Sequence, residues 1–381
     1  MSNRMHVMTF IVVLVLAALA QAQTFTDIYN FTETSGAFPY TGVIEDSAGN
    51  LYGTTEYGGS DSYGVVYKVS SSGTETVLYN FTGGTDGSEP MTPVIRDREG
   101  NLYGTTTKGG TDSCGVVFKV DTAGTESVLH NFTGGTSDGC NPYQGVIMDK
   151  KGNLYGTTYY GGTSDYGTVF KLTPKGKETV LHSFEGGPSD GAYPGQGHLL
   201  MDKAGDLYGL TESGGHSLYE GALYTLTAKG KLTVLYSFAG GRSDGCMPLG
   251  SVNMDKAGNL YGTTEFCGSS NYGTVWEVSK KGTETILHNF AGGSSDGEYP
   301  FAGVSLDSKG IYGVAEYGGA NGYGVVYELS PKGTITLLHS FAGTDGEYPV
   351  GELLRTAKGE LFGTAPDGGT DGYGVVWSYV P

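Results

Sequence analysis

Short apolar segments separated by glycine-rich polar turns recur along the chain after residue 23. The segment LYGTT at residue 51 returns as LYGTT at 102, 154 and 260, as LYGLT at 207, as IYGVA at 311 and as LFGTA at 361. Its aromatic residue recurs every 50 to 53 positions. The segments are rich in β-branched and aromatic residues and show no helical period, so they predict β-strands.

Four such segments make up each period. In the first period they are A (GVIED, from residue 42), B (LYGTTEYGG, from 51), C (GVVYKV, from 64) and D (ETVLYNF, from 75). The connections DSAGN and SSSGTE are typical of hairpin turns. Four antiparallel strands repeated at this period predict the blade of a β-propeller.

The number of copies predicts how the ring closes. Segments A, B and C occur seven times after residue 40, but D occurs only six times there, and a further D-like segment, TFTDIYNF, stands alone at 24–31. We expect this segment to pair with residues 374–380. The predicted fold is all-β: one domain over 23–381, a seven-bladed β-propeller with four antiparallel strands per blade, closed by the N-terminal strand, which completes the last blade.

Residues 1–22 have the pattern of a secretory signal peptide. Arg4 and His6 precede an apolar run over 10–20, and Ala20-Gln21-Ala22 forms an A-x-A cleavage signal. The run is shorter than the roughly 20 residues that span a bilayer, and no second apolar run follows. We therefore expect a secreted, extracellular or periplasmic protein cleaved near Ala22, without a membrane span.

The charge argues against nucleic acid as a partner. The chain carries 40 acidic and 22 basic residues, a formal charge of −18, and shows no basic stripe. Such a surface repels phosphate backbones.

The strand order sorts the connections onto two faces. The A–B and C–D turns share one face, the lysine face, which carries most of the lysines. The B–C loops and D–A linkers share the opposite face, the acidic face, with repeated motifs such as YGGTSDYG and GGSSDGEYP.

The acidic face is the predicted binding surface, because loops on a rigid scaffold commonly carry function. Each aspartate has the alternative of a simple turn residue. His216 and Glu220 lie in a B–C loop that is longer than its counterparts. The difference indicates either a special site in this loop or a repeat that has diverged without a functional role. The candidate ligand-binding residues are Tyr63, Asp86, Asp138, Tyr166, Asp190, His216, Glu220, Asp244, Tyr272, Asp296, Tyr323, Asp345 and Tyr373.

No residue pattern indicates a metal centre or a catalytic set. Four histidines occupy one repeat position in different blades, alternating with tyrosine, which favours a packing position over a metal site; they are His130, His182, His288 and His339. We expect no cofactor, with Ca²⁺ on the acidic loops left open although no D-x-D-x-D-G loop is present. Strand A residues that differ between blades could polarise a channel mouth: Glu45, Arg96, Asn253 and Arg355.

The cysteines all map to loops of the acidic face. Cys114 and Cys140 lie close along the repeat, as do Cys246 and Cys267. Four cysteines allow three pairings, and in an oxidising compartment we expect 114–140 and 246–267. Zinc is disfavoured because no C-x-x-C spacing occurs.

The repeating unit D-x-x-G-N-L-Y-G-T-T…G-G…Y-G-V-V-Y-K-V…G-T-E-T-V-L-Y-N-F resembles the Gloeo/Verruco (GloVer) tandem repeat of secreted bacterial proteins over residues 24–381. The resemblance implies extracellular placement and no particular reaction. Family members often end in a sorting or anchoring signal. This sequence shows none, so the resemblance does not imply surface attachment.

Two functions follow as hypotheses. The first is a non-catalytic, monomeric propeller that binds polysaccharide or extracellular protein, or acts as a scaffold, through its acidic face. The alternative is an extracellular lyase, hydrolase or lactonase, which needs a polar cluster at the channel mouth. The sequence assigns no catalytic residue.

Overall fold

A computed structural model describes residues 23–215 and 220–381, and it confirms the seven-bladed β-propeller. Seven antiparallel sheets, each of four strands A to D, follow one another along the chain. These residues form no helix that is long and apolar enough to cross a membrane. The predicted signal peptide lies outside the described residues.

Strands A and B lie next to each other in every blade. Strand A is only two residues long: Ile44–Glu45, Ile95–Arg96, Ile147–Met148, Leu200–Met201, Asn253–Met254, Ser305–Leu306 and Leu354–Arg355. Strand B is Leu51–Thr55, Leu102–Thr106, Leu154–Thr158, Leu207–Gly214, Leu260–Thr264, Ile311–Ala315 and Leu361–Ala365.

Strands C and D complete each sheet in the order A-B-C-D. Strand C is Val65–Val69, Val116–Val120, Thr168–Leu172, Ala222–Leu226, Thr274–Val278, Val325–Leu329 and Val375–Val380. Strand D is Glu75–Asn80, Glu126–Asn131, Glu178–Ser183, Leu232–Ser237, Glu284–Asn289, Ile335–Ser340 and, for blade 7, Thr24–Asn30.

The ring closes as the repeat count predicts. Thr24–Asn30 pairs antiparallel with Val375–Val380, from Thr24 opposite Val380 to Asn30 opposite Val375. The first and last described strands are therefore neighbours in one sheet.

The core lies between blades and is built from one repeated contact. The strand B glycine faces the aromatic residue of strand C in its own blade; Gly53, for example, is opposite Tyr67. The Tyr67 ring then packs edge-on against Phe31 of the preceding sheet, with ring centroids 4.9 Å apart. This glycine thus contributes to inter-blade packing indirectly, since it makes room for the ring that forms the contact.

On the acidic face, each D–A linker pairs with the B–C loop of the blade it enters. Short ladders join Gly139–Cys140 to Tyr160–Gly161, Gly245–Cys246 to Phe266–Cys267, and Gly297–Glu298 to Tyr317–Gly318, and Gly191–Pro194 joins the extended strand B of blade 4. The loops of this face are therefore held by backbone hydrogen bonds.

Both predicted disulfides are confirmed. Cys114 is bonded to Cys140, and Cys246 to Cys267, each joining a B–C loop to a D–A linker. The two bonds close segments with sequence separations of 26 and 21.

Replacing Cys114 and Cys140 by serine together is expected to lower the free energy of unfolding by about 2–4 kcal/mol, because the bond restricts the unfolded chain. Urea denaturation of the wild-type and double-variant proteins measures the difference. The same change at Cys246 and Cys267 provides the comparison. Reducing agent should destabilise the wild type but leave a variant without cysteines unchanged.

Candidate functional site

A cavity of about 200 Å³ lies on the propeller axis, toward the acidic face. Its walls come from the D–A linkers just before strand A, which supply Tyr40, Leu249, Phe301 and other residues. This volume is below the roughly 300–1,000 Å³ of drug-sized pockets. The cavity suits one small ring or the end of a longer ligand.

The floor of the cavity breaks the sevenfold repeat. One repeat position, two residues before the first residue of strand A, carries Gly42, Pro93, Gly145, His198, Ser251, Gly303 and Glu352 in blades 1 to 7. Four blades thus place glycine or proline there, which keeps the axis narrow, and three place polar side chains. Because the blades converge at the axis, His198, Ser251 and Glu352 meet although they are 53 and 101 residues apart along the chain.

The three polar residues form one cluster. Nδ1 of His198 lies 3.1 Å from Oε2 of Glu352 and 3.0 Å from Oγ of Ser251. The His198 backbone N–H also donates to Ser251 Oγ, at 2.6 Å. Since blades 4 and 7 stand on opposite sides of the ring, the His198–Glu352 contact crosses the axis.

Each member of the pair favours the charged form of the other. Burial opposes the charge on His198, but the carboxylate of Glu352 outweighs it and raises the pKa of the imidazole. Burial likewise opposes the charge on Glu352, but the His198 imidazolium lowers the pKa of that carboxyl. The two side chains keep 32% and 27% of their surface accessible, so the pair remains available to a ligand.

This cluster is not a serine–histidine–acid relay. In such a relay the acid binds one ring nitrogen and orients the imidazole, while the other ring nitrogen takes the proton of the serine hydroxyl. Here Ser251 and Glu352 share Nδ1. Nε2 of His198 has no partner among the described residues and can bind a ligand.

A second cavity of about 260 Å³ lies beyond the cluster, nearer the lysine face. His198 and Glu352 line both cavities, so their contact separates them. Asn253 and Arg355, which the sequence predicted near the axis, line the second cavity. Arg355 is bound to Asp307 at 2.6 Å and lies over the ring of Tyr312, so its charge is already compensated.

The other two predicted axial residues lie elsewhere. Glu45 lines a cavity between blades 7 and 1, formed with residues of the closing strand. Arg96 is exposed and lies over the ring of Tyr52. Two of these four residues therefore line the second cavity.

Four carboxyl groups occupy the rim above the axial cavity. They occupy the repeat position directly after the LYGTT-type segment, which in blade 4 lies inside the longer strand B, and are called here the rim carboxyls: Glu56, Glu212, Glu265 and Glu316. Burial raises the pKa of Glu56 and Glu265 to about 7 and also raises that of Glu316. Neighbouring carboxylates add to the shift at Glu265, where Glu316 and Glu212 both contribute.

The rim is positioned by residues in an unusual backbone conformation. The residue before each linker proline has a positive φ between 53° and 60°: Phe38, Glu89, Asn141, Tyr193, Met247, Tyr299 and Tyr348. Non-glycine residues rarely adopt this conformation, and it persists where surrounding structure enforces it. In blade 6, Tyr299 N–H donates to the Tyr272 carbonyl and Glu316 N–H donates to the Tyr299 carbonyl, at 3.0 and 3.1 Å. The strained residue thus fixes a rim carboxyl to the preceding blade.

The predicted tyrosines of the B–C loops form an aromatic belt outside the rim. Four of the five pack against the strained residue of the next linker: Tyr166 with Tyr193, Tyr272 with Tyr299, Tyr323 with Tyr348, and Tyr373 with Phe38. Tyr63 is the most exposed, at 45%. The belt offers aromatic surface around the cavity.

The predicted aspartates are placed inside the linkers. Five of the six are less than 10% exposed: Asp86, Asp138, Asp190, Asp244 and Asp296. Their carboxylates accept hydrogen bonds from linker backbone N–H groups and from the strand D histidine or tyrosine.

One blade shows the pattern: Asp190 accepts from the Glu185 N–H and contacts His182 Nε2 at 3.0 Å. Asp345 makes the same contact with His339. These carboxylates organise the linker, so the site proposed below does not use them. The four histidines occupy packing positions, as predicted.

The long B–C loop of blade 4 is described only in part. His216 lies outside the described residues. Glu220 stands at the repeat position of the belt tyrosines, and its carbonyl accepts the Met247 N–H at 3.0 Å. Its Oε2 is buried and has no hydrogen-bond partner in the part of the chain that the structure describes.

His198, Ser251, Glu352 and the rim carboxyls are not among the residues predicted from the sequence. The signal was present in the first three, since a polar residue replaces glycine or proline at a single repeat position. Across residues 23–215 and 220–381, no group of three or more His, Cys, Asp or Glu side chains is arranged to hold a metal ion.

The stability of the fold is expected to fall as pH rises from 5.5 to 8. Besides the rim, burial raises to about 7 the pKa of the glutamates that begin strand D: Glu75, Glu126, Glu178 and Glu284. A carboxyl whose pKa is higher in the folded than in the unfolded state stabilises the fold at low pH, and this stabilisation is lost as pH rises through about 7. The groups are half-exposed, so we expect a fall in Tm of roughly 5 °C in total.

At low pH, the stability of the fold is limited by aspartates in the turns. Burial opposes ionisation of Asp46, but hydrogen bonds from Asn50, Tyr52 and the backbone lower its pKa to about 2. This contribution is lost only as pH falls toward 2. Thermal denaturation of dilute protein at pH 5.5 and 8 measures the first effect. Changing the four strand D glutamates to glutamine should flatten the profile, and an unchanged profile in that variant would contradict the assignment.

The family comparison gives one match. The Gloeobacter/Verrucomicrobia repeat profile matches residues 15–219 and 198–381, which together span most of the chain. A comparison with curated proteins gave no match.

Solved structures with related folds are distant in sequence. The extracellular domain of a candidate one-component system from B. thetaiotaomicron aligns with a TM-score of 0.59 at 11% identity, over 92% of this chain and 39% of that chain. The extracellular domain of a candidate hybrid two-component system from the same organism gives 0.57 at 12%, over 94% and 41%. This chain therefore spans about two fifths of each.

A candidate 6-phosphogluconolactonase from Bacteroides uniformis ATCC 8492 gives a TM-score of 0.52 at 16% identity, over 83% of this chain and 88% of that chain. At such identities these similarities show the fold and not the function.

Proposed function

The chain belongs to the Gloeobacter/Verrucomicrobia repeat family. We propose that it is an extracellular binding protein. Its acidic face takes the end of a hydroxyl-rich ligand, a polysaccharide, into the axial cavity. The aromatic belt then contacts the units of the ligand outside the cavity.

One observation carries the proposal: unlike polar residues from three blades converge at the floor of a concave, non-symmetric cavity. A repeat that served only packing would keep glycine or proline at this position in all blades. Instead His198, Ser251 and Glu352 provide donors and acceptors within about 3 Å of one another. Ligand sites characteristically combine apolar walls with a few convergent polar groups.

The rest of the face fits a sugar polymer. Tyr40 and Phe301 supply aromatic surface in the cavity, and the rim carboxyls supply hydrogen-bonding groups to hydroxyls. The belt tyrosines extend this surface outward. The signal-peptide pattern and the two disulfides support extracellular placement, because disulfides persist in oxidising compartments.

Glycan-array screening followed by calorimetry tests the proposal. Val350 is partly exposed in the cavity wall, so Val350→Trp should fill the cavity and reduce affinity at least tenfold. Ser71→Trp, at an exposed turn of the lysine face, is the matched control and should bind as the wild type does. Absence of glycan binding, or equal loss in both variants, would contradict the proposal.

A second candidate is the extracellular enzyme. The observation in its favour is the same cluster, because the unpartnered Nε2 of His198 could transfer a proton to or from a ligand. The shared Nδ1 excludes the serine relay but not acid–base chemistry. The raised pKa of His198 favours the protonated form, which suits a proton donor better than a base.

The release of reducing ends or unsaturated products from a bound polysaccharide distinguishes the two functions. A binding protein gives none above background. If product forms and His198→Asn reduces its rate at least 100-fold while affinity is retained, the enzyme replaces the binding protein.

A further inference from the structure

The ionisable groups that line the axial cavity include more acids than bases. Its ionisable lining consists of Tyr40, His198, Glu265, Glu316 and Glu352, and includes no lysine or arginine among the described residues. The His198–Glu352 pair is neutral as a unit. Two rim carboxyls, Glu265 and Glu316, therefore face the cavity without a compensating cation.

Glu265 is the clearest case. Its carboxylate has no hydrogen bond and no ion pair with any described residue, although it is half-buried and lies near Glu316 and Glu212. Partial burial beside like charges disfavours ionisation unless a positive group arrives. By contrast, Glu212, which does not line the cavity, accepts a hydrogen bond from Tyr159 at 2.8 Å.

A second independent feature favours a positive group at the same place. The walls between rim and floor are formed by Tyr40, Phe301 and Leu249. Aromatic faces attract cations as well as the apolar faces of sugar rings. A cation held between these rings and the rim would contact the carboxyls from inside the cavity.

We propose that the polysaccharide recognised by the axial cavity is an amino-sugar polymer with free, protonated amines, whose ammonium group binds between Glu265 and Glu316. The inference rests on the proposed function and specifies its ligand. Acetylated amino sugars lack the charge, and uronic acids carry the opposite one, so both should bind more weakly. Long-range attraction to the acidic face adds to the preference.

A ligand series isolates the charge. Oligomers of glucosamine, of N-acetylglucosamine and of glucuronic acid, all of one length, are titrated into the wild-type protein by calorimetry at pH 6.5. We expect the glucosamine oligomer to bind at least tenfold more tightly than the acetylated one and the glucuronic acid oligomer not to bind. Raising the salt concentration from 0.05 to about 0.5 M should reduce only the glucosamine affinity, because salt screens exposed charges.

The variants assign the preference to the rim. Glu265→Gln combined with Glu316→Gln removes both carboxyl groups and keeps the side-chain shape, so it should abolish the tenfold preference for the glucosamine oligomer over the acetylated one. Glu185→Gln is the matched control, since Glu185 is exposed on a linker of the same face and outside the cavity. It should retain the preference.

The outcomes separate this inference from the proposed function. If glucosamine and N-acetylglucosamine oligomers bind equally and Val350→Trp weakens both, the amine assignment is wrong and the binding function stands. If the double variant keeps the preference for the glucosamine oligomer, Glu265 and Glu316 do not bind the ammonium group and the amine assignment is wrong. If no oligomer or other glycan binds, both proposals are wrong.

Discussion

Removal of residues 23–31 is expected to abolish the folded ring. This segment supplies strand D of blade 7 and ends in Phe31, which is fully buried and packs against Tyr67 of blade 1. Phe25 adds a stacked contact with His339 at 3.6 Å between ring centroids. Loss of one buried phenylalanine costs about 3–5 kcal/mol, and loss of the whole strand should exceed the 5–15 kcal/mol that stabilises a typical domain. Circular dichroism and size-exclusion chromatography should show unfolded or aggregated protein.

A circular permutant is the matched control for this prediction. Thr24 and Val380 are direct partners in the closing sheet, so a short linker can join them. New termini in the exposed C–D turn at 280–282 would then leave every strand present and the ring closed by blade 5 instead. We expect this permutant to fold with nearly wild-type stability. A stable monomer without residues 23–31 would contradict closure as the source of the effect.

The fold could be predicted because the information is repeated. Each strand type occurs seven times, so a weak pattern in one blade can be assigned from the other six. The absence of a seventh D segment after residue 40 identified the N-terminal segment as the closing strand. The disulfides followed from the same alignment, since Cys114–Cys140 and Cys246–Cys267 are neighbours in space only if linkers and B–C loops share a face.

The site could be predicted only in part, because it consists of departures from the repeat. His198, Ser251 and Glu352 carry no recognisable spacing and meet only through ring geometry. Aligning the blades at this one position would have revealed them. Their contacts, including the shared Nδ1, depend on side-chain distances that the sequence does not contain.

The linker aspartates show a different limit. Asp-Gly in a loop is compatible with an exposed ligand-binding carboxylate and with a turn that uses the carboxylate internally. Asp244 is only 5% exposed and accepts a hydrogen bond from Tyr236, so its carboxylate serves the turn internally. The strained residues before proline were also not foreseeable, because a residue in that position ordinarily prefers an extended conformation.

Gly262→Ala is expected to lower the free energy of unfolding by about 1–3 kcal/mol, although it adds only one methyl group. A Cβ atom at Gly262 would collide with Cζ2 of Trp276, a ring that is fully buried between blades 4 and 5 and packs against Phe238. The ring cannot move away without disturbing that contact, and overpacking of a dense core has this magnitude. Chemical denaturation measures the loss.

The control for this prediction separates crowding from the intrinsic effect of alanine. At Gly84 an added Cβ would meet nothing closer than 3.5 Å, so Gly84→Ala should be neutral or slightly stabilising. In a Trp276→Leu background the space above residue 262 is larger, and Gly262→Ala should then cost much less than in the wild type. Such coupling in a double-mutant cycle would assign the cost to the ring itself. Equal costs in both backgrounds would mean that the glycine is needed for its backbone, and the account of inter-blade packing through glycine and aromatic ring would then be wrong for all seven blades.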